Sequence, residues 1–84
     1  MVPYSAFQNL SAAEQQALVT QGGTFLLTRP AGVFLVDLYY LPGYYCEVWR
    51  QLPTAAVAYL HAFTEQAGLY PYLAHIRLPP NILV

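Results

Sequence analysis

Three runs of aromatic and β-branched residues, separated by two short turns, constrain the fold of this chain most strongly. The runs read GTFLLTR, VFLVDLYYL and YYCEVWRQL, with Pro30-Ala31-Gly32 after the first and Pro42-Gly43 after the second. Proline and glycine favour β-turns, and strand-forming runs joined by such turns are typical of an antiparallel meander. We therefore predict three strands, at about residues 24–29, 33–41 and 44–52.

Helical signals lie on both sides of this sheet. Ser11 and Glu14 form a capping-box pattern, which predicts a helix at about residues 12–21 that ends at Gly22-Gly23. After the sheet, the alanine-rich segment TAAVAYLHAFTEQAG predicts a second helix at about residues 55–67, packed on one sheet face through Leu60 and Phe63.

The remaining residues predict a short closing helix at about 71–75 and an extended tail at about 77–84, where Pro79-Pro80 prevents a further helix or central strand. The prediction for residues 1–84 is a single α+β domain: an N-terminal helix, a three-stranded antiparallel meander, a C-terminal helix on one sheet face and a short closing helix.

The alignment of the second hairpin decides which sheet face is buried. A two-residue Pro42-Gly43 loop pairs Leu41 with Tyr44 and separates Asp37 from Glu47, whereas an odd-length loop puts both carboxylates on one face. Burying an unpaired carboxylate is costly, and type II Pro-Gly turns suit two-residue hairpins poorly, so we predict the odd-length loop. The core face then carries Phe34, Val36, Leu38, Tyr40, Cys46 and Val48.

The opposite face is predicted to combine aromatic rings with carboxylates, a mixture that suits a contact with another protein. Its candidate interface residues are Leu35, Asp37, Tyr39, Tyr45, Glu47 and Trp49.

The scarcity of charge supports a contact surface. The chain of 84 residues is 57% hydrophobic but only 8% charged, against about 25% in an ordinary soluble domain. So short a chain has too little interior for all these side chains, so we expect a protein partner, most simply a second copy in a homodimer. The chain has no lysine and a net charge of −1, which argues against nucleic-acid binding.

Membrane insertion and secretion are not expected. The stretch from Ala31 to Cys46 carries only one charge, but it is shorter than the roughly 20 residues of a spanning helix and contains Pro42-Gly43. The first residues lack the basic and apolar regions of a secretory signal, so we expect a cytoplasmic protein.

Candidate chemistry is sparse. Cys46 is the single cysteine, and its place within a strand predicts a buried, unreactive thiol. His61 and Glu65 lie four residues apart and are interpreted as a solvated helix flank, because a three-ligand metal site would need His61, His75 and a carboxylate from elsewhere and no HExxH-like spacing is present. Asp37 and Glu47 are interpreted as solubilising charges rather than as an acid–base pair. We expect no enzymatic activity, no metal and no cofactor.

The segments GTF at 23–25, VFLVDLYYL at 33–41, YYCEVW at 44–49 and LYPYLAHIRL at 69–78 resemble a group of small uncharacterised bacterial proteins. The resemblance implies a leading helix, a three-stranded meander and closing helices. The alanine-rich LPTAAVAYLHAF segment departs from that group. The resemblance implies no activity and no site residue.

Three functions follow as hypotheses. The first is a non-enzymatic domain that self-associates through the aromatic face with Tyr39, Tyr45 and Trp49. The second is a regulatory partner of another protein, of the immunity or antitoxin type, that uses the same surface. The third is a small-ligand binder or enzyme with a pocket near Asp37, Glu47 and His61.

Overall fold

The computed structural model describes residues 2–73, which form a four-stranded antiparallel sheet with helical segments before and after it. The sheet order follows the chain, β1-β2-β3-β4. The elements are α1 (Tyr4–Phe7), α2 (Ala12–Gly22), β1 (Thr24–Ala31), β2 (Phe34–Leu41), β3 (Tyr44–Gln51), β4 (Ala56–Phe63), a 3₁₀ helix (Gln66–Leu69) and α3 (Tyr70–Leu73).

The α+β class is as predicted, and so are the helix α2 and the strands β1 to β3. The capping box of α2 is formed: Glu14 N donates to Ser11 Oγ at 3.2 Å, and Ser11 N donates to Glu14 Oε1 at 3.0 Å. These bonds satisfy two of the backbone donors that a helix start leaves open. The closing helix is Tyr70–Leu73 within the described part of the chain, and the predicted tail at 77–84 lies outside it.

The predicted second helix at 55–67 is wrong, because residues 56–63 form a fourth strand instead. β4 pairs with β3 from Gln51↔Ala56 to Tyr45↔Phe63, and Ala58 is an extra residue between the pairs Arg50↔Val57 and Trp49↔Tyr59. This bulge puts Val57 and Leu60, three residues apart, in the same cluster. The predicted helix face joined Leu60 and Phe63, but these two side chains pack in different clusters on opposite sides of the sheet.

The predicted odd-length hairpin loop is also wrong. Leu41 pairs with Tyr44 across a two-residue loop, and Gly43 has a φ of 92°. That backbone conformation is open to glycine and strained for other residues, as a type II turn requires. The carboxylates therefore lie on opposite faces, and each has an arginine partner, Arg50 for Asp37 and Arg29 for Glu47. The cost that argued against this alignment applies only to unpaired carboxylates.

Both faces of the sheet are covered in part, so the prediction of one core face and one exposed face fails. The N-face, against α1 and α2, is the face that carries Asp37. The C-face, against the 3₁₀ helix and α3, is the face that carries Glu47. The N-face cluster consists of Phe7, Val19, Leu41, Tyr44, Cys46 and Val48. The C-face cluster consists of Leu27, Val36, Leu38, Tyr45, Phe63, Leu69 and Tyr72.

Among residues 2–73, no helix has the length and apolar character needed to cross a membrane.

Candidate functional site: the β4 edge and the Glu47 cluster

Glu47 lies at the centre of β3 on the C-face and is only 5% exposed. Its Oε1 accepts from Trp49 Nε1 at 3.2 Å and from His61 Nδ1 at 3.0 Å. Its Oε2 accepts from Tyr72 Oη at 2.5 Å and from Arg29 Nη2 at 3.3 Å. An ionised carboxylate has about four acceptor positions, so these donors saturate it.

The hydrogen bonds decide the charge of Glu47. Burial by itself would raise the pKa of this carboxyl, but bonds from Tyr72, His61, Trp49 and Arg29 outweigh burial and hold the pKa below its ordinary value of 4.5. Burial, together with the Glu47 charge, raises the pKa of Tyr72. Tyr72 therefore remains a donor, and Glu47 remains an anion that accepts at both oxygens.

Arg29 joins this cluster to the aromatic rings around it. Its guanidinium carbon lies 4.8 Å from the centre of the Tyr72 ring and 5.5 Å from that of Trp49, within cation–π range of both. Four segments of the chain thus meet at one carboxylate: β1 through Arg29, β3 through Trp49, β4 through His61 and α3 through Tyr72.

Asp37 forms a separate ion pair on the N-face. Arg50 donates to it from Nε at 2.7 Å and from Nη2 at 2.8 Å, and Thr28 Oγ1 donates at 2.6 Å. A two-bond contact between arginine and a carboxylate fixes both groups and shields them from unfavourable burial. This pair has the geometry of a structural contact between strands β2 and β3.

Cys46 is fully buried, as predicted. Burial, with a smaller contribution from the neighbouring Glu47 charge, raises the pKa of its thiol to about 12. Since the thiolate is the reactive form, this cysteine is not a nucleophile near neutral pH.

The six predicted interface residues do not share one face, because that grouping depended on the odd-length loop. Leu35, Asp37 and Tyr39 are paired with N-face positions of β3, whereas Tyr45, Glu47 and Trp49 lie on the C-face. Three of the six, Asp37, Tyr45 and Glu47, are at most 9% exposed. A single aromatic and acidic contact surface at these positions is therefore not formed.

An aromatic strip on the C-face is partly exposed in the described part of the chain. We define it by Phe34, Trp49 and Tyr59. The Trp49 and Tyr59 rings stack with centres 5.2 Å apart, and the Phe34 ring meets the Trp49 ring edge-on at 5.4 Å. Tyr59 is 47% exposed and belongs to β4, so the strip reaches that edge of the described sheet.

The two edges of the sheet differ in chemistry. β1 contains Arg29 and Pro30, and a proline lacks the N–H that a pairing strand would need. β4 reads AVAYLHAF and contains neither proline nor a permanently charged residue. Natural edge strands usually carry charge or proline that prevents pairing with another chain. β4 is thus the less protected edge.

His61 lies at this edge, with 59% of its side chain exposed. Two surface cavities, of about 260 and 320 Å³, share His61 and Ala62 in their walls. Neither Asp37 nor Glu47 lines these two cavities, so the predicted pocket near Asp37, Glu47 and His61 stays a prediction. Tyr4 Oη lies 3.5 Å from Ala62 O, which is long for a hydrogen bond.

The strand formed by residues 59–63 was not predicted from the sequence. A signal was present, because the aromatic residues Tyr59 and Phe63 alternate with Leu60 and Ala62, with His61 between them. That period of two is typical of a strand. The alanine-rich residues before it, and the Ala58 bulge, concealed the pattern.

Comparison of the chain with protein-family models, curated proteins and solved structures found no match. The resemblance to small bacterial proteins therefore stays a prediction.

Proposed function

We propose that this protein is a non-enzymatic interaction domain that forms a homodimer, and that the two copies join along the β4 edge to make one continuous sheet. The observation that carries the proposal is the chemistry of β4, the less protected of the two edges of the described sheet. In the sheet of residues 2–73, β4 pairs with β3 on one side only. Edge strands without charge or proline are the usual sites of strand pairing between chains.

The order of side chains in β4 favours a second copy as the partner. Residues 59–63 read aromatic, aliphatic, histidine, aliphatic, aromatic, so the segment has the same order of types in both directions. Two antiparallel copies would place Tyr59 of each opposite Phe63 of the other, and cross-strand aromatic pairs are favourable. A surface that is self-complementary in this way suits a two-fold dimer.

The aromatic strip supports the same arrangement. Tyr59 is the outermost ring of the strip, and pairing along β4 would cover its exposed part. The chain has few charges to oppose such a contact, at 8% of residues. A single copy has too small an interior to bury this apolar area, so its burial between two copies would stabilise the dimer.

The test is the mass of the protein in solution, measured by light scattering after size exclusion, from low micromolar to high micromolar concentration. We expect the wild type to be a dimer at the upper end. Tyr59→Lys should be monomeric, because it puts a charge and its hydration in the contact. Tyr70→Lys is the matched control, since Tyr70 is 68% exposed and belongs to α3 rather than to β4, and this variant should dimerise as the wild type does.

Circular dichroism on both variants separates loss of the dimer from loss of the fold. A wild type that stays monomeric over the whole range would contradict the proposal, and so would a folded Tyr59→Lys that dimerises as strongly as Tyr70→Lys.

A further inference from the structure

The centre of the proposed contact is set by the bulge in β4. Because Ala58 has no partner in β3, residues 59–63 form the longer uninterrupted ladder of β4, from Trp49↔Tyr59 to Tyr45↔Phe63. His61 is the middle residue of this ladder. A two-fold axis through the middle of the segment pairs the largest number of like residues and puts His61 directly opposite His61 of the second copy.

The tautomer of the neutral His61 ring is set by Glu47. An ionised carboxylate only accepts hydrogen bonds, so the Nδ1 atom that lies 3.0 Å from Glu47 Oε1 must carry the proton. The neutral ring then has its lone pair on Nε2. A carboxylate that holds the far nitrogen of a histidine is the usual arrangement behind metal-binding histidines, because it orients the ring and makes the other nitrogen more basic.

The orientation is reinforced by packing. The His61 ring stacks on the Phe63 ring with centres 5.7 Å apart and an angle of 27° between the planes. Glu47 in turn is held by Tyr72, Trp49 and Arg29, so the support for the ring is itself rigid. More than half of the His61 side chain is nevertheless exposed.

We propose that the two His61 side chains of the dimer form a binding site for a transition-metal ion such as Zn²⁺ at the centre of the joined sheet. The inference rests on the proposed dimer. Residues directly opposite each other in antiparallel strands have Cβ atoms about 4.5–5.5 Å apart, which allows two imidazoles to reach one ion at about 2.0–2.1 Å from each nitrogen. Each copy would supply one imidazole, so the site would exist only in the dimer.

The first test measures dimerisation by sedimentation, on protein without a histidine tag, in EDTA and then in Zn²⁺. The dissociation constant of the dimer should fall about tenfold when free Zn²⁺ is ten times its own dissociation constant from the dimer. His61→Gln is the control: its amide can still donate to Glu47, but it is a poor zinc ligand, so its dimerisation should not respond to Zn²⁺.

The outcomes separate the two proposals. A wild type that dimerises in EDTA, but shows neither a zinc response nor zinc binding by calorimetry, would overturn the metal site and leave the dimer standing. A wild type that is monomeric in both conditions would overturn both.

A second test examines the position of the axis. Opposite residues of neighbouring strands have the Cα separation that a disulfide accepts, so His61→Cys should form a covalent dimer on mild oxidation. Leu60→Cys should not, because Leu60 would lie opposite Ala62 of the second copy. Cys46 is buried and does not compete. A Leu60→Cys protein that cross-links while His61→Cys does not would place the axis elsewhere and overturn the site.

Discussion

Glu47 shows how a single buried charge can organise a small domain. Its carboxylate is 5% exposed, yet hydrogen bonds from Arg29, Trp49, His61 and Tyr72 compensate for the lost hydration. The sequence suggested that a carboxylate in this strand should face solvent. Burial is costly for an unpaired carboxylate, but three of the four donors to Glu47 come from other segments, whose positions could not be predicted from the sequence.

Replacement of Glu47 by glutamine should destabilise the fold strongly. Glu47→Gln keeps the shape of the side chain but leaves Arg29 without its ion pair, and breaking a buried pair typically costs about 3–5 kcal/mol. Urea denaturation at pH 7 measures the free energy of unfolding. Glu65→Gln, on an exposed residue, is the control and should change it by less than about 0.5 kcal/mol. Equal effects of the two substitutions would show that the cluster is not stabilising.

Acid should remove the stabilisation that the ionised Glu47 provides. The pKa of Glu47 in the folded chain is below its ordinary value of 4.5, so its stabilisation is complete above pH 4.5 and is lost as the pH falls through the folded-state pKa. The difference in unfolding free energy between the wild type and Glu47→Gln should therefore be constant between pH 6 and about pH 5, and should shrink when denaturation is repeated from there down to pH 3. A difference independent of pH would mean that the carboxyl is not ionised in the folded protein.

At the scale of elements, the sequence predicted what local chemistry controls. The α2 cap and the strands β1 to β3 follow from the Ser11–Glu14 pattern and from the turn residues. β4 could not be identified in the same way, because its alanine-rich start favours a helix and its bulge disrupts the alternation. Pairing with the exposed edge of β3 overrides that local preference. The alignment of β2 with β3 was similarly beyond local rules, since it depends on which arginine meets which carboxylate.

The capping box of α2 is expected to contribute measurably to the stability of the fold. Ser11→Ala removes the acceptor of the Glu14 N–H and should lower the free energy of unfolding by about 1 kcal/mol. Ser5→Ala, at an exposed position in α1, serves as the control and should have little effect. Thermal and urea unfolding of both variants give the comparison, and an unchanged Ser11→Ala would contradict the role of the cap.

The turn between β2 and β3 provides a test of backbone conformation alone. Gly43 has a φ of 92°, and a Cβ atom added there would meet nothing within 4 Å. Gly43→Ala should therefore cost about 1–2 kcal/mol through backbone strain without any clash. Gly43→Asn should cost less, because asparagine tolerates positive φ better. If both substitutions are neutral in urea denaturation, the turn does not have this conformation.

At the scale of the whole molecule, the central fact is the balance between a small interior and many apolar side chains. Among the described residues, the large apolar side chains left exposed include Phe25, Val33, Leu52, Tyr59 and Tyr70. The sequence predicted this excess, and with it a partner. It could not predict where the contact would form, because the edge at β4 exists only once residues 56–63 are known to be a strand.

If the protein dimerises, its stability should depend on its concentration. Association favours the folded state by mass action, so the thermal midpoint of the wild type should rise as the concentration increases from about 5 to 500 μM. Tyr59→Lys should show a midpoint independent of concentration, while Tyr70→Lys should follow the wild type. Scanning calorimetry measures all three, and a constant wild-type midpoint would speak against association.

The two ion pairs also bear on how the hairpin of β2 and β3 finds its alignment during folding. A slip of one residue moves Arg50 to the face opposite Asp37 and leaves both groups without their partner. The apolar residues alone discriminate weakly between the alignments, since both faces of these strands are rich in them. Each face has its own acid and its own base, so only the native alignment satisfies both ion pairs.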